Sequence, residues 1–216
     1  MRTPLSRPCP RPPASSPLTP PAGELRPDAA VVAVPNHLHV ELGLLCVEYG
    51  CHMLVEKPLA PSVEEGRRLV EAAEAAGLLL VVGHHRRFDP SVVAARSCMD
   101  PSSPDGIGPL HNASVIWALR KPDEYYSLAH RREKGAGPLY TNFSHDVDTL
   151  RFLCGEIEEV MGMSTNRLGR GGENEDNAAL LLRFRSGALA SVSIADGAPS
   201  PCKIVILSRF ACCPSR

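Results

Sequence analysis

The stretch that decides the fold is 29–83, which reads AAVVAVPNHLHVELGLLCVEYGCHMLVEKPLAPSVEEGRRLVEAAEAAGLLLVVG. It holds three short apolar runs, Ala29–Val34, His52–Val55 and Leu78–Val82. Between them lie two segments with apolar side chains at helical spacing, and the second begins with a capping box at Ser62. This alternation predicts a βαβαβ unit with a parallel sheet, whose short apolar strands are covered by helices on both faces.

Polar residues follow each of the three predicted strands, at the point where the strand ends. They are Pro35-Asn36-His37, Glu56-Lys57-Pro58 and Gly83-His84-His85-Arg86-Arg87. In an open parallel sheet, ligands bind in the crevice outside the carboxyl ends of the strands. The sequence therefore predicts a binding site built from these three turns.

Composition and charge exclude several classes of function. The chain has 216 residues, a formal net charge of −1 and 8 scattered cysteines without a Cys-x-x-Cys pair. The small net charge gives no footprint for nucleic acid, and no run of about 18 residues is apolar enough to span a membrane. The cysteine spacing argues against a structural zinc site and a disulfide scaffold. We therefore expect a cytoplasmic protein that binds neither nucleic acid nor membrane.

The first 27 residues are rich in proline and arginine, which is typical of a disordered or linker-like segment. An organelle transit peptide is the alternative, although the prolines interrupt the amphipathic helix of such a peptide. No Gly-x-Gly-x-x-Gly turn precedes Ala29, although that turn opens a typical dinucleotide-binding unit. We therefore expect the first strand and the phosphate-binding turn of such a unit to be missing.

The second half of the chain predicts a different order of elements. Helices are expected at 91–99 and 143–155, and strands at 110–119, 157–163, 177–184 and 188–194. The charged segment 121–134 is either a solvated loop or part of a substrate pocket. The apolar run Ile204–Leu207 is expected to lack a partner strand and to favour aggregation.

Four motifs follow one another along the chain. They are Val-Pro-Asn-His-Leu-His (34–39), Val-Glu-Lys-Pro-Leu-Ala (55–60), Gly-His-His-Arg-Arg-Phe-Asp-Pro (83–90) and Gly-Ala-Gly-Pro-Leu-Tyr-Thr-Asn-Phe-Ser-His-Asp-Val-Asp (135–148). Together they resemble the glucose–fructose oxidoreductase, inositol dehydrogenase and MocA (Gfo/Idh/MocA) family of NAD(P)-dependent oxidoreductases. The resemblance covers roughly residues 29–196 and is expected to stop after Gly197.

The resemblance implies an α/β fold in two parts. Residues 28–90 would form a partial Rossmann domain, whose parallel sheet lacks the first strand and the Gly-rich turn. Residues 91–197 would form a partial α+β domain on a mostly antiparallel sheet, also cut short. A disordered Pro-rich segment over 1–27 and a divergent tail over 198–216 would flank them.

The resemblance also implies a nicotinamide cofactor, NAD or NADP, at the strand ends. The implied cofactor-binding residues are Pro35, Asn36, His39, Glu56, Lys57, Pro58 and Arg87. Lys57 would be catalytic, because a lysine beside a positively charged ring releases its proton more easily and can serve a substrate hydroxyl. The alternatives are that Glu56 and Lys57 form an ordinary solvated pair, and that Arg87 braces the junction between the domains.

His145 is the second residue for which the resemblance implies a catalytic role, as a base. Many relatives carry an aspartate four residues earlier, where this chain has Thr141 followed by Asn142; these two are the implied substrate-binding residues. A threonine cannot hold the charge of a carboxylate, and a hydrogen-bonded core histidine is the alternative for His145. A metal bound by the histidines near the strand ends is not predicted, because no carboxylate or cysteine completes a zinc pattern.

Two hypotheses of function follow from these residues. The first is an NAD(P)-dependent oxidoreductase that transfers hydride to or from a sugar, polyol or related hydroxy compound, with Lys57 as proton donor or acceptor and His145 as its partner. The second is a catalytically silent, truncated relative that acts as a binding or assembly module, or a fragment of a longer protein. The expected partners are a small-molecule substrate and a second copy of the chain, bound through the C-terminal sheet.

Overall fold

The structure is a computed structural model that describes residues 27–100, 102–103 and 106–198 and the backbone of 203–208. The chain divides into two compact units, Met1–Gly83 and His84–Arg216. The segment expected to be disordered lies outside the described residues except for Pro27, and so does most of the expected tail. No helix among the described residues is both long and apolar enough to cross a membrane.

The first unit has the predicted βαβαβ order. Its three strands are parallel and lie in the order β1-β2-β3. Ser62 caps the second helix, since its hydroxyl accepts a hydrogen bond from the backbone N–H of Glu65 at 3.2 Å. The elements are β1 (Ala29–Val32), α1 (His39–Glu48), β2 (His52–Val55), α2 (Val63–Ala75) and β3 (Leu80–Val82).

The prediction that helices cover both faces of this sheet is wrong for the described residues. Both helices pack on one face, where Val40 of α1 and Leu69 of α2 join a core with Val55 of β2. The opposite face carries a row of paired residues that are 72%, 38% and 50% exposed, namely Val31, Leu54 and Val81. Apolar runs this short look the same whether one face is covered or two.

The second unit is built on a five-stranded sheet in the order β5-β6-β7-β4-β8. All neighbouring strands are antiparallel except β4 and β7, which run parallel, so the sheet is mostly antiparallel as predicted. The elements are α3 (Pro90–Cys98), β4 (Leu110–Ala118), α4 (Pro138–Thr141), α5 (Phe143–Cys154), β5 (Ile157–Thr165), β6 (Asn177–Phe184), β7 (Leu189–Ala195) and β8 (Lys203–Ser208).

Helix α5 supplies the helical side of the core in the second unit. Its Leu150 and Leu153 join Trp117 of β4, Phe184 of β6 and Ile194 of β7 in one buried cluster. Along each strand, residues that face this core alternate with residues that face the outer side of the sheet. Its exposed apolar residues are Ile116, Met161, Met163, Leu181 and Leu189.

The apolar run Ile204–Leu207 has a partner strand, so the expectation that it lacks one is wrong. It forms most of β8, which pairs antiparallel with β4 in a register that joins Ile204 to Val115 and Ile206 to Ala113. The run is therefore a strand of the second sheet, where β8 lies at the edge next to β4. Its partner lies far away in the chain, so the local sequence did not indicate the pairing.

Candidate functional site

The carboxylate of Glu56 lies at the carboxyl end of β2, directly against the backbone of Gly83. A Cβ atom added at Gly83 would come within 3.1 Å of Glu56 Oε1, a separation that real Cβ atoms rarely reach. The N–H of Gly83 donates to the Val55 carbonyl at 2.8 Å and keeps the two strand ends together. The N–H of Lys57 approaches Glu56 Oε2 at 3.2 Å. Glycine at position 83 thus makes room for an acidic group at the edge of the sheet.

The ring of His39 lies inside the first unit, between the turns that follow β1 and β2. The ring is fully buried. Nδ1 lies 2.7 Å from the Pro58 carbonyl and Nε2 lies 2.9 Å from the Val34 carbonyl. The imidazole therefore joins the turn after β1 to the turn after β2. It holds the two turns of the predicted site in place, and its contact with a cofactor stays a prediction.

The remaining predicted residues of the first unit lie on these same two turns. Pro35 precedes a short 3-10 helix that begins at Asn36, and its carbonyl accepts from the N–H of Leu38 at 2.9 Å. Lys57 and Pro58 are half-buried and joined by a cis peptide bond. Their assignment to cofactor and catalysis stays a prediction.

His145 lies on the first turn of α5 among other imidazoles. Its ring centroid lies 4.7 Å from that of His85 and 5.9 Å from that of His84, both in edge-on geometry. His145 is buried, and its carbonyl accepts from the hydroxyl of Thr149 at 2.8 Å. Within the ranges that the structure describes, no three or more His, Cys, Asp or Glu side chains are placed to hold a metal ion.

Two arginines from the motif 83–90 bind the acidic residues of α5. Arg86 Nη1 donates to Asp146 Oδ1 at 2.7 Å, and Arg87 forms two hydrogen bonds with Asp148 at 2.7 and 2.6 Å. The hydrogen bonds that Arg87 donates to Asp148 raise the pKa of Arg87, whereas burial raises the pKa of the Asp146 carboxyl. These contacts place His84–Pro90 in the second unit, whereas the sequence predicted a boundary after Pro90.

Arg87 therefore has a bracing contact inside the second unit. Its guanidinium also lies 5.3 Å from the ring centroid of Phe152, one turn further along α5. The sequence left cofactor binding and bracing of the domain junction open for this residue, and its contacts with Asp148 and Phe152 both lie within the second unit. The contact of Arg87 with a cofactor stays a prediction.

Thr141 and Asn142 are brought together with Lys121, which the sequence did not single out. Lys121 Nζ donates to Asn142 Oδ1 at 2.8 Å, and the Thr141 hydroxyl lies 3.0 Å from the same oxygen. Lys121 is buried, so the description of 121–134 as a solvated loop fails at this residue. Its ammonium also lies 4.8 Å from the ring centroid of Tyr125.

Asp196 is the acidic centre of this buried region. It follows β7, and Lys121 follows β4, its parallel neighbour, so the two residues meet with 3.7 Å between Nζ and Oδ2. Tyr126 donates its hydroxyl to Asp196, and burial together with this bond raises the pKa of Tyr126. Arg170 donates to the carbonyl of Asp196 and to that of Lys121. The sequence signal for Asp196 was weak: an acidic residue just past a strand.

Two family models match this chain. The model described as "Oxidoreductase family, NAD-binding Rossmann fold" matches residues 14–84, and the model described as "GFO/IDH/MocA C-terminal domain" matches residues 104–208. The chain therefore belongs to the Gfo/Idh/MocA family of oxidoreductases. The second match extends to 208, so the expectation that the resemblance stops after Gly197 is wrong.

Curated relatives include enzymes named for sugar derivatives. The 1,5-anhydro-D-fructose reductase of Ensifer adhaerens is 34% identical over 165 residues, which are 76% of this chain and 49% of the relative. The 2,7-anhydro-N-acetylneuraminate hydratase of Escherichia coli (strain K12) is 31% identical over 169 residues. The aligned part covers 76% of this chain and 45% of the relative. The chain spans about half the length of the curated relatives it matches.

A solved structure of similar fold is the WlbA dehydrogenase from Bordetella pertussis in complex with NADH and UDP-GlcNAcA. It aligns with a TM-score of 0.75 and 28% sequence identity, over 84% of this chain and 57% of that chain. The α/β architecture, with a parallel sheet followed by a mostly antiparallel one, is thus that of known NAD-dependent dehydrogenases.

Proposed function

We propose that this chain carries the function of an NAD(P)-dependent oxidoreductase that transfers hydride to or from a sugar, polyol or related hydroxy compound. The observation that carries the proposal is the Glu56 carboxylate, held at the end of β2 against Gly83. Membership of a family with an NAD-binding Rossmann fold supports it, and so do relatives named for anhydro sugars.

The residues at the strand ends fit part of a dinucleotide. A carboxylate accepts hydrogen bonds from two neighbouring hydroxyls, which is what a ribose offers, so Glu56 would hold the nicotinamide ribose. Pro35 and Asn36 would line the same crevice at the end of β1. A bound NAD(P) would supply the acceptor or donor of the hydride. The turns that would hold it are themselves fixed by His39, which joins them through its ring.

Lys57 and His145 would move the proton of the substrate hydroxyl. Lys57 follows Glu56 directly in the chain, and its ammonium would give or take the proton. The imidazole of His145 would act as the second group. A positioned acid or base contributes typically about 10²–10⁴-fold to the rate. Thr141 and Asn142 of the second unit would bind the substrate, and many relatives have an aspartate at the position of Thr141. The ammonium of Lys121 donates to Asn142.

A titration with NADH and with NADPH tests the cofactor site, followed by energy transfer from the buried Trp117. We expect saturable binding with a Kd below about 100 μM, or about −5.5 kcal/mol, and the tighter of the two cofactors identifies the preference. The titration also decides between the two hypotheses. Absence of binding by a protein with intact circular dichroism and a cooperative melt would support a silent binding or assembly module.

Lys57→Ala separates binding from chemistry. We expect it to lower kcat for oxidation of a responsive polyol by about 10²-fold or more, a larger factor than the rise in the Kd for NADH. Arg151→Ala is a matched control, since this cation pairs with Glu156 on the exposed surface of the second unit. Equal kcat values for Lys57→Ala and Arg151→Ala would remove Lys57 from the mechanism.

We also propose that two copies of the chain associate through the outer face of the second sheet. This face holds a groove of about 580 Å³, whose apolar lining includes Met161, Leu181 and Leu189. Sedimentation velocity should show a dimer that Leu181→Glu dissociates, whereas Leu128→Glu, at an exposed leucine of another segment, should not. A chain that sediments as a monomer at all concentrations would refute this association.

A further inference from the structure

The side-chain amide of Asn142 is held on its oxygen side by the ammonium of Lys121, whose Nζ lies 2.8 Å from Oδ1. The Thr141 hydroxyl lies 3.0 Å from the same oxygen and 2.9 Å from the Gly137 carbonyl, so its single proton is shared between them. An ammonium has only donors, so the atom that faces it must be the amide oxygen and not the nitrogen. The NH2 group of Asn142 therefore points away from Lys121, and Asn142 as a whole is half-buried.

The ammonium of Lys121 is itself held in place. Its side chain is 7% exposed, Asp196 Oδ2 lies 3.7 Å from Nζ, and the ring centroids of Trp117 and Tyr125 lie at 5.7 and 4.8 Å. Hydrogen bonds from an ionised donor are shorter and stronger than neutral ones, most of all where water is excluded. Lys121 thus acts on Asn142 as a fixed charge.

We propose that Lys121 is a positioning residue that turns the amide of Asn142 so that its NH2 group, and not its oxygen, meets the substrate. The inference rests on the proposed function, in which Thr141 and Asn142 bind the substrate. It narrows the substrate class, because an NH2 group only donates. The site takes a compound with an oxygen acceptor at this point, such as a hydroxyl or a carboxylate, and rejects one with an ammonium group there.

Arg170 provides a matched control for the loss of a cation beside Asp196. Its guanidinium donates to the carbonyls of Asp196 and Lys121 and lies 4.0 Å from the Asp196 carboxylate, against 3.7 Å for Lys121 Nζ. These contacts of Arg170 leave the bond from the Lys121 ammonium to Asn142 in place. Lys121→Met and Arg170→Met therefore each remove one positive charge from the same carboxylate. The two variants share the loss of a positive charge beside Asp196. Only Lys121→Met also removes the hydrogen bond that holds the side-chain amide of Asn142.

The kinetic test compares KM and kcat for a responsive polyol in these variants. One misplaced hydrogen bond to the substrate corresponds to a rise in KM of about 3- to 10-fold, with kcat within about twofold. We expect this rise in Lys121→Met. In Lys121→Arg, which keeps a cation at this position, and in Arg170→Met, we expect the KM of the unchanged chain. Asn142→Asp keeps an oxygen toward Lys121 and removes the NH2 donor, so it should raise KM as Lys121→Met does. Equal KM changes in Lys121→Met and Arg170→Met, or none in either, would overturn the inference.

A second readout needs neither substrate nor turnover. The side-chain NH2 signals of Asn142 in a ¹H–¹⁵N spectrum should shift in Lys121→Met and stay in place in Arg170→Met and Lys121→Arg. Signals that do not move in Lys121→Met would overturn the positioning role even if the enzyme is active. If the signals move as expected but the chain turns over no substrate, the positioning role of Lys121 is supported. Only the proposed oxidoreductase function is then contradicted. Should Lys121→Met fail to fold, the kinetic comparison rests on Asn142→Asp, which should raise KM, and on Lys121→Arg, which should not.

Discussion

The two units hold their candidate site residues in different ways. In the first unit, Glu56 contacts the N–H of the next residue, and the ring of His39 bonds carbonyls 5 and 19 residues away. In the second unit, Arg86 and Arg87 bind carboxylates 60 and 61 residues away. The first arrangement uses the backbone of neighbouring turns and depends little on how distant elements pack. The second uses charged side chains, so it depends on the exact placement of α5.

The cost of breaking a distant charge pair is the largest effect that this comparison predicts. Arg87→Met leaves the Asp148 carboxylate, 7% exposed, without its arginine, and should lower the free energy of unfolding by about 2–3 kcal/mol. This range is below that of a fully buried pair because the Arg87 side chain is 40% exposed. Urea unfolding with a constant m-value measures the change.

The exposed pair of Arg151 and Glu156 is the matched control for that measurement. Both side chains are about half exposed, so Arg151→Met should cost less than about 1 kcal/mol. Equal losses in the two variants would mean that the contact of Arg87 with Asp148 is as solvated as a surface pair.

A buried and an exposed valine test the one-sided cover of the first sheet. Val55 is fully buried and Val81, on the opposite face, is 50% exposed. Val55→Thr places a hydroxyl in the core and should lower the free energy of unfolding by about 1–3 kcal/mol, whereas Val81→Thr should stay within about 0.5 kcal/mol. A large loss in Val81→Thr would show that this face is covered in solution, and thermal melts of both variants measure it.

Two helical glycines of the first unit should respond in opposite directions. A Cβ at Gly43 of α1 would lie 2.7 Å from Leu69, whereas one at Gly66 of α2 would have its nearest neighbour, Ala60, at 3.4 Å. Gly43→Ala should therefore cost about 1–2 kcal/mol through overpacking. Gly66→Ala should add about 0.5–1 kcal/mol through helix propensity.

Chemical denaturation of the two alanine variants and of the unchanged chain measures whether each substitution raises or lowers the free energy of unfolding. Gains in both would mean that α1 and α2 are less closely packed at Leu69 than the structure shows. Losses in both would contradict the helix-propensity argument at Gly66.

The local elements were largely predictable from the sequence. The order of the first unit, the bounds of β2 and β6, the cap at Ser62 and the start of α5 at Phe143 all agree with the structure. Each depends on signals within a few residues, such as apolar spacing, a capping serine or a glycine. The family was predictable for the same reason, since each of its motifs is a short contiguous run.

The arrangement of the site was less predictable. Strand length and apolarity did not show that α1 and α2 share one face, nor that Ile204–Leu207 pairs with β4. Nothing in the spacing of Lys121, Asn142 and Asp196 indicated that they meet, because the meeting depends on β4 and β7 running parallel. The signal that could have found them is an acidic and a basic residue placed just past neighbouring strands.

The sequence by itself determined the order of strands and helices, the membership of an oxidoreductase family and the polar turns where the site is sought. Backbone propensity and hydrophobic spacing act over one or two turns of chain, so these features can be read along it. Only the tertiary structure decided which sheet face is covered, which carboxylate each arginine binds and which way the amide of Asn142 is turned. Those outcomes depend on contacts between residues far apart in the chain, and such contacts exist only once the elements have packed.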